Sequence, residues 1–229
     1  MESKHIEEQI EYYRARASEY DEWFLRLGRY YRGEDHKRQW LAEVQKVSDA
    51  LGSEKPAGNI LEIACGTGIW TSQLVVHADR LTAIDASPEM IEVNRAKVAD
   101  ERIEYMVADM FDWQATGQYD FIFFGFWLSH VPKEKFDGFW EMVKSALKPG
   151  GKVFFVDSLM TQESTAADHR ELDNSGIAER KLNDGRQFNI VKVFYDPAEL
   201  EHRLNDLGWQ GKVATTGEFF LYGMFEQAN

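Results

Sequence analysis

Glu62, Asp85, Asp109 and His130 each stand at or just beyond the end of an apolar run, and the small residues Ala64 to Gly68 follow the first run directly. Ile60 to Ile63 reads as a buried parallel strand, and an amphipathic stretch from Trp70 to Ala78 reads as a helix after the turn. A strand, a tight turn and a helix start offer backbone N–H groups to a polar ligand. With little or no side chain at Ala64, Gly66 and Gly68, such a ligand can lie directly against the backbone. A lone Gly-x-Gly is equally compatible with a plain connection, so the acids decide. Asp85 ends the run Leu81 to Ile84 and lies 19 residues beyond Gly66. At that spacing an acid on the second strand tip accepts both ribose hydroxyls of a nucleoside. A third run, Ile103 to Ala108, ends in Asp109. A dinucleotide fingerprint would need a small residue at Thr71 and an apolar one at Glu62, so NAD is the weaker choice.

The ordered set of motifs over residues 56–160 resembles the class I S-adenosylmethionine-dependent methyltransferases of the small-molecule type. Leu61-Glu-Ile-Ala-Cys-Gly-Thr-Gly68 looks like their first motif, with Ala64 where glycine is usual, and Ala83-Ile-Asp-Ala-Ser-Pro-Glu-Met90 is similar to the second. Val107-Ala-Asp-Met-Phe111, Tyr119-Asp-Phe-Ile-Phe-Phe124 and Leu147-Lys-Pro-Gly-Gly-Lys-Val-Phe-Phe155 resemble the third motif, the fourth strand and the turn into the fifth. The resemblance implies an α/β fold: a doubly wound, seven-stranded, mostly parallel sheet (the Rossmann-like methyltransferase fold) with an antiparallel last strand. It also implies S-adenosylmethionine as cofactor. Asp85 would bind the ribose with Ala86 beside it, Met90 would pack on the adenine, and Asp109 and the Met110 backbone would meet its edge. Ala64, Gly66 and Phe126 would surround the methionine part, Glu62 would hold its amino end, and Tyr20 would close over it.

The flanks are expected to supply the acceptor site. Ile6, Ile10, Tyr13, Ala17, Tyr20 and Phe24 recur at helical spacing, which predicts an N-terminal helical lid within residues 1–55. Residues 56–160 form the cofactor-binding core, and 161–229 close the sheet after an inserted hairpin, all within one domain, 1–229. Asn183-Asp-Gly-Arg186 is the hairpin turn, and Ser87-Pro88 reads as a helix N-cap followed by proline at the first helical position. Tyr12, Tyr13, Trp23, Trp127 and Arg186 are candidate acceptor contacts, although any single aromatic residue is as readily core. Arg180, Lys181, Arg186 and Lys192 on the hairpin are either solvated charges or a cradle for a carboxylate or phosphate. His130 is the candidate general base for an in-line transfer that otherwise relies on proximity, or else it orients its loop.

Composition narrows the partners. A net charge of −13 argues against nucleic acid and against an anionic membrane surface. Neither a membrane-length apolar run nor a signal-peptide core is present, and a single cysteine rules out an internal disulfide, which favours the cytoplasm. The sequence shows no clear metal set. The leading reading is transfer to an O or N nucleophile of a small molecule by a monomer or homodimer. The alternatives are a protein methyltransferase and a non-catalytic S-adenosylmethionine-binding subunit.

Overall fold

The computed structural model of the chain describes residues 2–114, 117–171 and 173–228. Helices α1 (Glu2–Arg16), α2 (Tyr20–Leu25) and α3 (Glu34–Ser53) lead into alternating strands and helices. These run β1 (Gly58–Ile63), α4 (Thr71–Leu74), β2 (Ala78–Asp85), α5 (Pro88–Val98), β3 (Ile103–Val107), β4 (Tyr119–Gly125), α6 (Phe136–Ala146) and β5 (Leu147–Ser158). A separate hairpin, β6 (Ile177–Lys181) and β7 (Gln187–Val191), precedes α7 (Pro197–Asp206), β8 (Trp209–Thr215) and β9 (Phe220–Gln227). Among the described residues no helix is long and apolar enough to cross a membrane.

The main sheet has seven strands in the order β3-β2-β1-β4-β5-β9-β8, parallel except for β9, which runs antiparallel to both its neighbours. Chain direction across the sheet reverses between β1 and β4, where a doubly wound fold opens a crevice beyond the strand ends. Strands buried on both faces read as continuous apolar runs, and Phe121 to Phe124 of β4 are accordingly all buried. Helices α6 and α7 cover one face through Phe139, Trp140, Leu200 and Leu204. Trp40 and Val47 of α3, Leu74 and Ile91 cover the other.

Local signals set most element ends. Ser87 Oγ accepts the Met90 N–H at 3.1 Å and Pro88 opens α5, as the sequence predicts. Helix α4 is shorter than the expected Trp70–Ala78 stretch. It stops at Leu74, before β-branched Val75 and Val76, and the chain re-enters the sheet at Ala78. Strand β5 starts earlier than its turn motif implies: Tyr119 pairs with Leu147 and Phe121 with Lys152, so residues 148–151 form a bulge. A Cβ on Gly151 would stand 3.0 Å from the Asp120 carbonyl oxygen, which accounts for glycine there.

A candidate active site beyond the strand ends

The ends of β1, β2 and β4 open on a cavity of about 690 Å³. The turn after β1 forms its floor, where Ala64 and Gly66 have left-handed backbones with φ of 53° and 52°. Ala64 bears a strain of about 1–2 kcal/mol that glycine would avoid. Phe126, just past β4, is also left-handed at φ 57°, so both non-glycine residues bend the chain at this cavity wall. Gly68 admits no side chain, since a Cβ would meet Asn94 Oδ1 at 2.6 Å.

Asp85 is held rigidly beside this floor. Its Oδ2 accepts the Gly66 N–H and its Oδ1 the Ser87 N–H, both at 2.9 Å. Burial raises its carboxyl to about 6 against the pull of those N–H groups. Glu62 lies beneath the turn, 1% exposed, with Oε2 lacking any hydrogen-bond partner, and burial pushes its carboxyl up to about 8. Met90, Asp109 and Met110 line the far end, where Asp109 Oδ1 accepts the Phe111 N–H at 2.9 Å. Ile6, Gln9, Ile10 and Tyr13 of α1 lie along the same cavity.

A second cavity of about 540 Å³ adjoins the first and shares Tyr13, Tyr20, Phe126 and His130 with it. At this junction His130 Nδ1 lies 2.7 Å from the Val191 carbonyl and Nε2 lies 2.8 Å from the Tyr13 hydroxyl. A carbonyl only accepts, which assigns the proton to Nδ1 and makes Nε2 the acceptor of the Tyr13 O–H. Burial, reinforced by the charge of Lys192, holds His130 well below its ordinary pKa, so the ring is neutral. Tyr13 is raised well above 10 by burial and keeps its proton.

Three cations line the second cavity: Arg16 from α1, Arg180 from β6 and Lys192 just after β7, each at most 8% exposed. Lys192 Nζ donates to Ser129 Oγ at 2.8 Å and stands 3.6 Å from Asp157. Neither arginine is ion-paired among the described residues: Arg180 donates to the Glu179 carbonyl at 3.2 Å and Arg16 to the Tyr30 hydroxyl at 3.1 Å. The Tyr12 hydroxyl, Arg16 Nε and His169 Nδ1, all on cavity residues, are buried without hydrogen-bond partners. Burying unpaired charge costs several kcal/mol per ion, so this arrangement is poised for a negative ligand.

A methyltransferase-domain family profile matches residues 60–151. The ubiquinone biosynthesis O-methyltransferase of Xanthomonas euvesicatoria pv. vesicatoria is 30% identical over 171 residues, 73% of this chain and 68% of that one. The chain belongs to the S-adenosylmethionine-dependent methyltransferases. The solved structure of DhpI with SAH matches this methyltransferase with a TM-score of 0.81 and 39% identity, over 98% of this chain and 97% of DhpI. A second DhpI structure, described as a SAM-HEP complex, matches at 0.80 and 38%. Some relatives are longer: the methyltransferase spans only 44% of malonyl-[acyl-carrier protein] O-methyltransferase 2 of Ilyobacter polytropus, at 32% identity.

Most of the residues singled out from sequence converge here. Tyr20, Ala64, Gly66, Asp85, Ala86, Met90, Asp109, Met110 and Phe126 all border the first cavity, and Tyr12, Tyr13 and Trp23 border the second. Two candidate acceptor contacts lie elsewhere. Trp127 faces the first cavity rather than the second. Arg186 sits exposed at the hairpin tip, paired with Asp184 at 2.8 Å, because it belongs to the turn and not to a strand face. Strand alternation selects among the hairpin cations: Arg180 pairs with Phe188 on the face toward α1, whereas Lys181 points to the other face. Arg16 escaped the sequence reading. The available signal was its spacing of four from Tyr12 and from Tyr20, both of whose rings its guanidinium approaches, at 5.4 and 4.9 Å.

Proposed function

We propose that this methyltransferase transfers the methyl group of S-adenosylmethionine to an oxygen of a small anionic molecule bearing a carboxylate or a phosphate-type group. The supporting observation is the buried set Arg16, Arg180 and Lys192 beside the junction of the two cavities, whose one ion pair among the described residues is Lys192 with Asp157 at 3.6 Å. The cofactor fits the first cavity. Asp85 takes the ribose hydroxyls, Ala86 adjoins it, and Met90, Asp109 and Met110 surround the adenine. Ala64, Gly66, Phe126 and Tyr20 enclose the methionine part. Glu62 does not line this cavity itself, but its unpartnered oxygen, buried beside the turn, is offered to the ammonium, directly or through water.

The cofactor contributes an electrophilic methyl on a sulfonium; the chain contributes placement. Arg16, Arg180 and Lys192 hold the acceptor anion, and Tyr13, Tyr20, Trp23 and Phe126 exclude water from the junction. Holding the two partners in line replaces a bimolecular encounter, an advantage of about 10⁵ M or more in effective molarity. An oxyanion already carries the attacking lone pair, so His130 need not remove a proton. Its bond to the Tyr13 hydroxyl makes it a positioning residue for the junction. The N-terminal helix serves as the lid, and its aromatic and basic side chains lining the acceptor cavity favour a small anionic molecule over a protein side chain.

Incubation with methyl-labelled S-adenosylmethionine and an acceptor panel sorted by nucleophile and charge tests this reading. Label should enter carboxylate or phosphate-type oxygens. Transfer confined to neutral phenols, to amines or to protein would overturn it.

A further inference from the structure

Helix α1 belongs to both cavities at once. Ile6, Gln9 and Ile10 border the cofactor cavity, Tyr12 and Arg16 the acceptor cavity, and Tyr13 both. It also packs on the hairpin, where Tyr12 joins Leu182, Phe188 and Ile190 in a small apolar cluster, and Tyr13 bonds His130 at 2.8 Å; its remaining ties are slight. Arg14 makes an exposed paired contact with Glu89 of α5 at 3.1–3.3 Å, Glu8 accepts the Asn189 N–H, and Gln9 Nε2 reaches the His130 carbonyl at 3.4 Å. An exposed ion pair of this kind contributes about 0–1 kcal/mol. Against these, the closed helix buries the Arg16 guanidinium with no carboxylate and with Nε unsatisfied. That buried charge opposes closure, against the packing on the hairpin, until something negative enters the acceptor cavity.

Resting on the anionic acceptor proposed above, we propose that Arg16 makes α1 an anion-operated latch, so that the acceptor's charge tightens the hold on the cofactor and methylation releases it. A bound oxyanion pairs with Arg16 and favours the closed helix, whose other residues then cover the cofactor. On reaction, the acceptor oxygen's lone pair forms the O–CH₃ bond while the C–S bond breaks and its electron pair goes to sulfur. The sulfonium becomes a neutral thioether and the acceptor loses one negative charge, so total charge is conserved. Arg16 thus faces a weaker counter-ion at the moment both products must leave. Linkage makes the coupling reciprocal: anion and cofactor strengthen each other by the same factor.

The test uses S-adenosylhomocysteine, which permits no turnover, with the full chain in a calorimeter. Its affinity is measured alone and with saturating inorganic phosphate, methylphosphonate or acetate, at ionic strength matched with NaCl. At least one anion should tighten its binding about tenfold, within the 5–150-fold range usual for coupled sites. Methyl acetate, neutral, should leave it unchanged. Arg16→Gln should reduce the coupling below about twofold and, with the buried charge gone, bring the affinity for S-adenosylhomocysteine alone up toward the anion-saturated wild-type value. Arg180→Gln should need more anion but keep the coupling at saturation, and Arg16→Lys, which retains the charge, keeps the comparison open if Arg16→Gln does not fold. If an anion binds and the affinity does not change, the latch is wrong and the anionic acceptor stands. If none of the anions binds, the acceptor reading falls and the latch with it.

Discussion

Replacing Glu62 by Gln probes the proposed cofactor site through a carboxyl that is buried at a cost. The group is 1% exposed, leaves Oε2 unpartnered and is raised to about 8 by burial, so in the free protein it is mostly protonated at neutral pH. If it must ionise to face the cofactor's ammonium, binding expels a proton. At 1.36 kcal/mol per pH unit, ionised Glu62 falls from about one half at pH 8 to about one hundredth at pH 6, weakening affinity roughly 50-fold. Asp85, raised to about 6, adds its own dependence at the acid end, and Glu62→Gln separates the two. In that variant the Glu62 component disappears, and affinity at pH 8 drops about 10- to 150-fold for the loss of a charged hydrogen bond of about 1.5–3 kcal/mol. Folding stability moves the opposite way. Between the ordinary carboxyl value of 4.5 and about 8 the native state binds more protons than the unfolded chain, so this group subtracts stability as pH rises. Glu62→Gln should therefore melt higher than wild type at pH 8, with the difference shrinking toward pH 5. Titration calorimetry in buffers of different ionisation enthalpy counts the released proton, and melting curves across the same pH range read the stability. A wild-type affinity flat from pH 6 to 8 and equal to that of the variant would refute the reasoning.

Other perturbations separate the remaining roles. His130→Ala should slow turnover, yet wild-type turnover should show no limb near pH 6.5, because burial and Lys192 keep the ring neutral over the assay range; a wild-type limb that vanishes in the variant would make His130 a base. Lys192→Met should raise acceptor KM about 10-fold or more, as expected for a lost charged hydrogen bond of about 1.5–3 kcal/mol, with cofactor affinity nearly unchanged. Arg186→Ala, at the exposed hairpin tip, should leave acceptor KM at its wild-type value in the same assay. Arg26 is fully buried, donates to the carbonyls of Trp23, Glu163 and Ser164 and lies 3.9 Å over the Trp40 ring. Arg26→Met should lower stability by on the order of 1–3 kcal/mol for the stranded carbonyls, read as a shift in the denaturant midpoint.

Sequence alone determined the parts whose physics is local. The apolar runs and their spacing specify the strands; Ser87-Pro88 specifies the start of α5; and the turn from Ala64 to Gly68, with Asp85 and Asp109 at neighbouring strand tips, marks the proposed nucleoside site. Ala64 stands out at both levels, as an unusual residue in the motif and as a left-handed backbone at the cavity floor. Tertiary structure decided what surrounds the second cavity, the proposed acceptor site. Whether Arg180 or Lys181 faces inward depends on hairpin register, and a slip of one residue sends every side chain to the opposite face. That register is read against α1, which meets β7 through contacts such as Glu8 with Asn189, 181 residues apart. Arg16, His130 and Lys192 likewise meet only because helix, loop and hairpin pack together. The proposed methyl-donor contacts were legible because they lie on consecutive strand tips, whereas the buried cations that suggest an anionic acceptor became visible only where segments distant in sequence pack together.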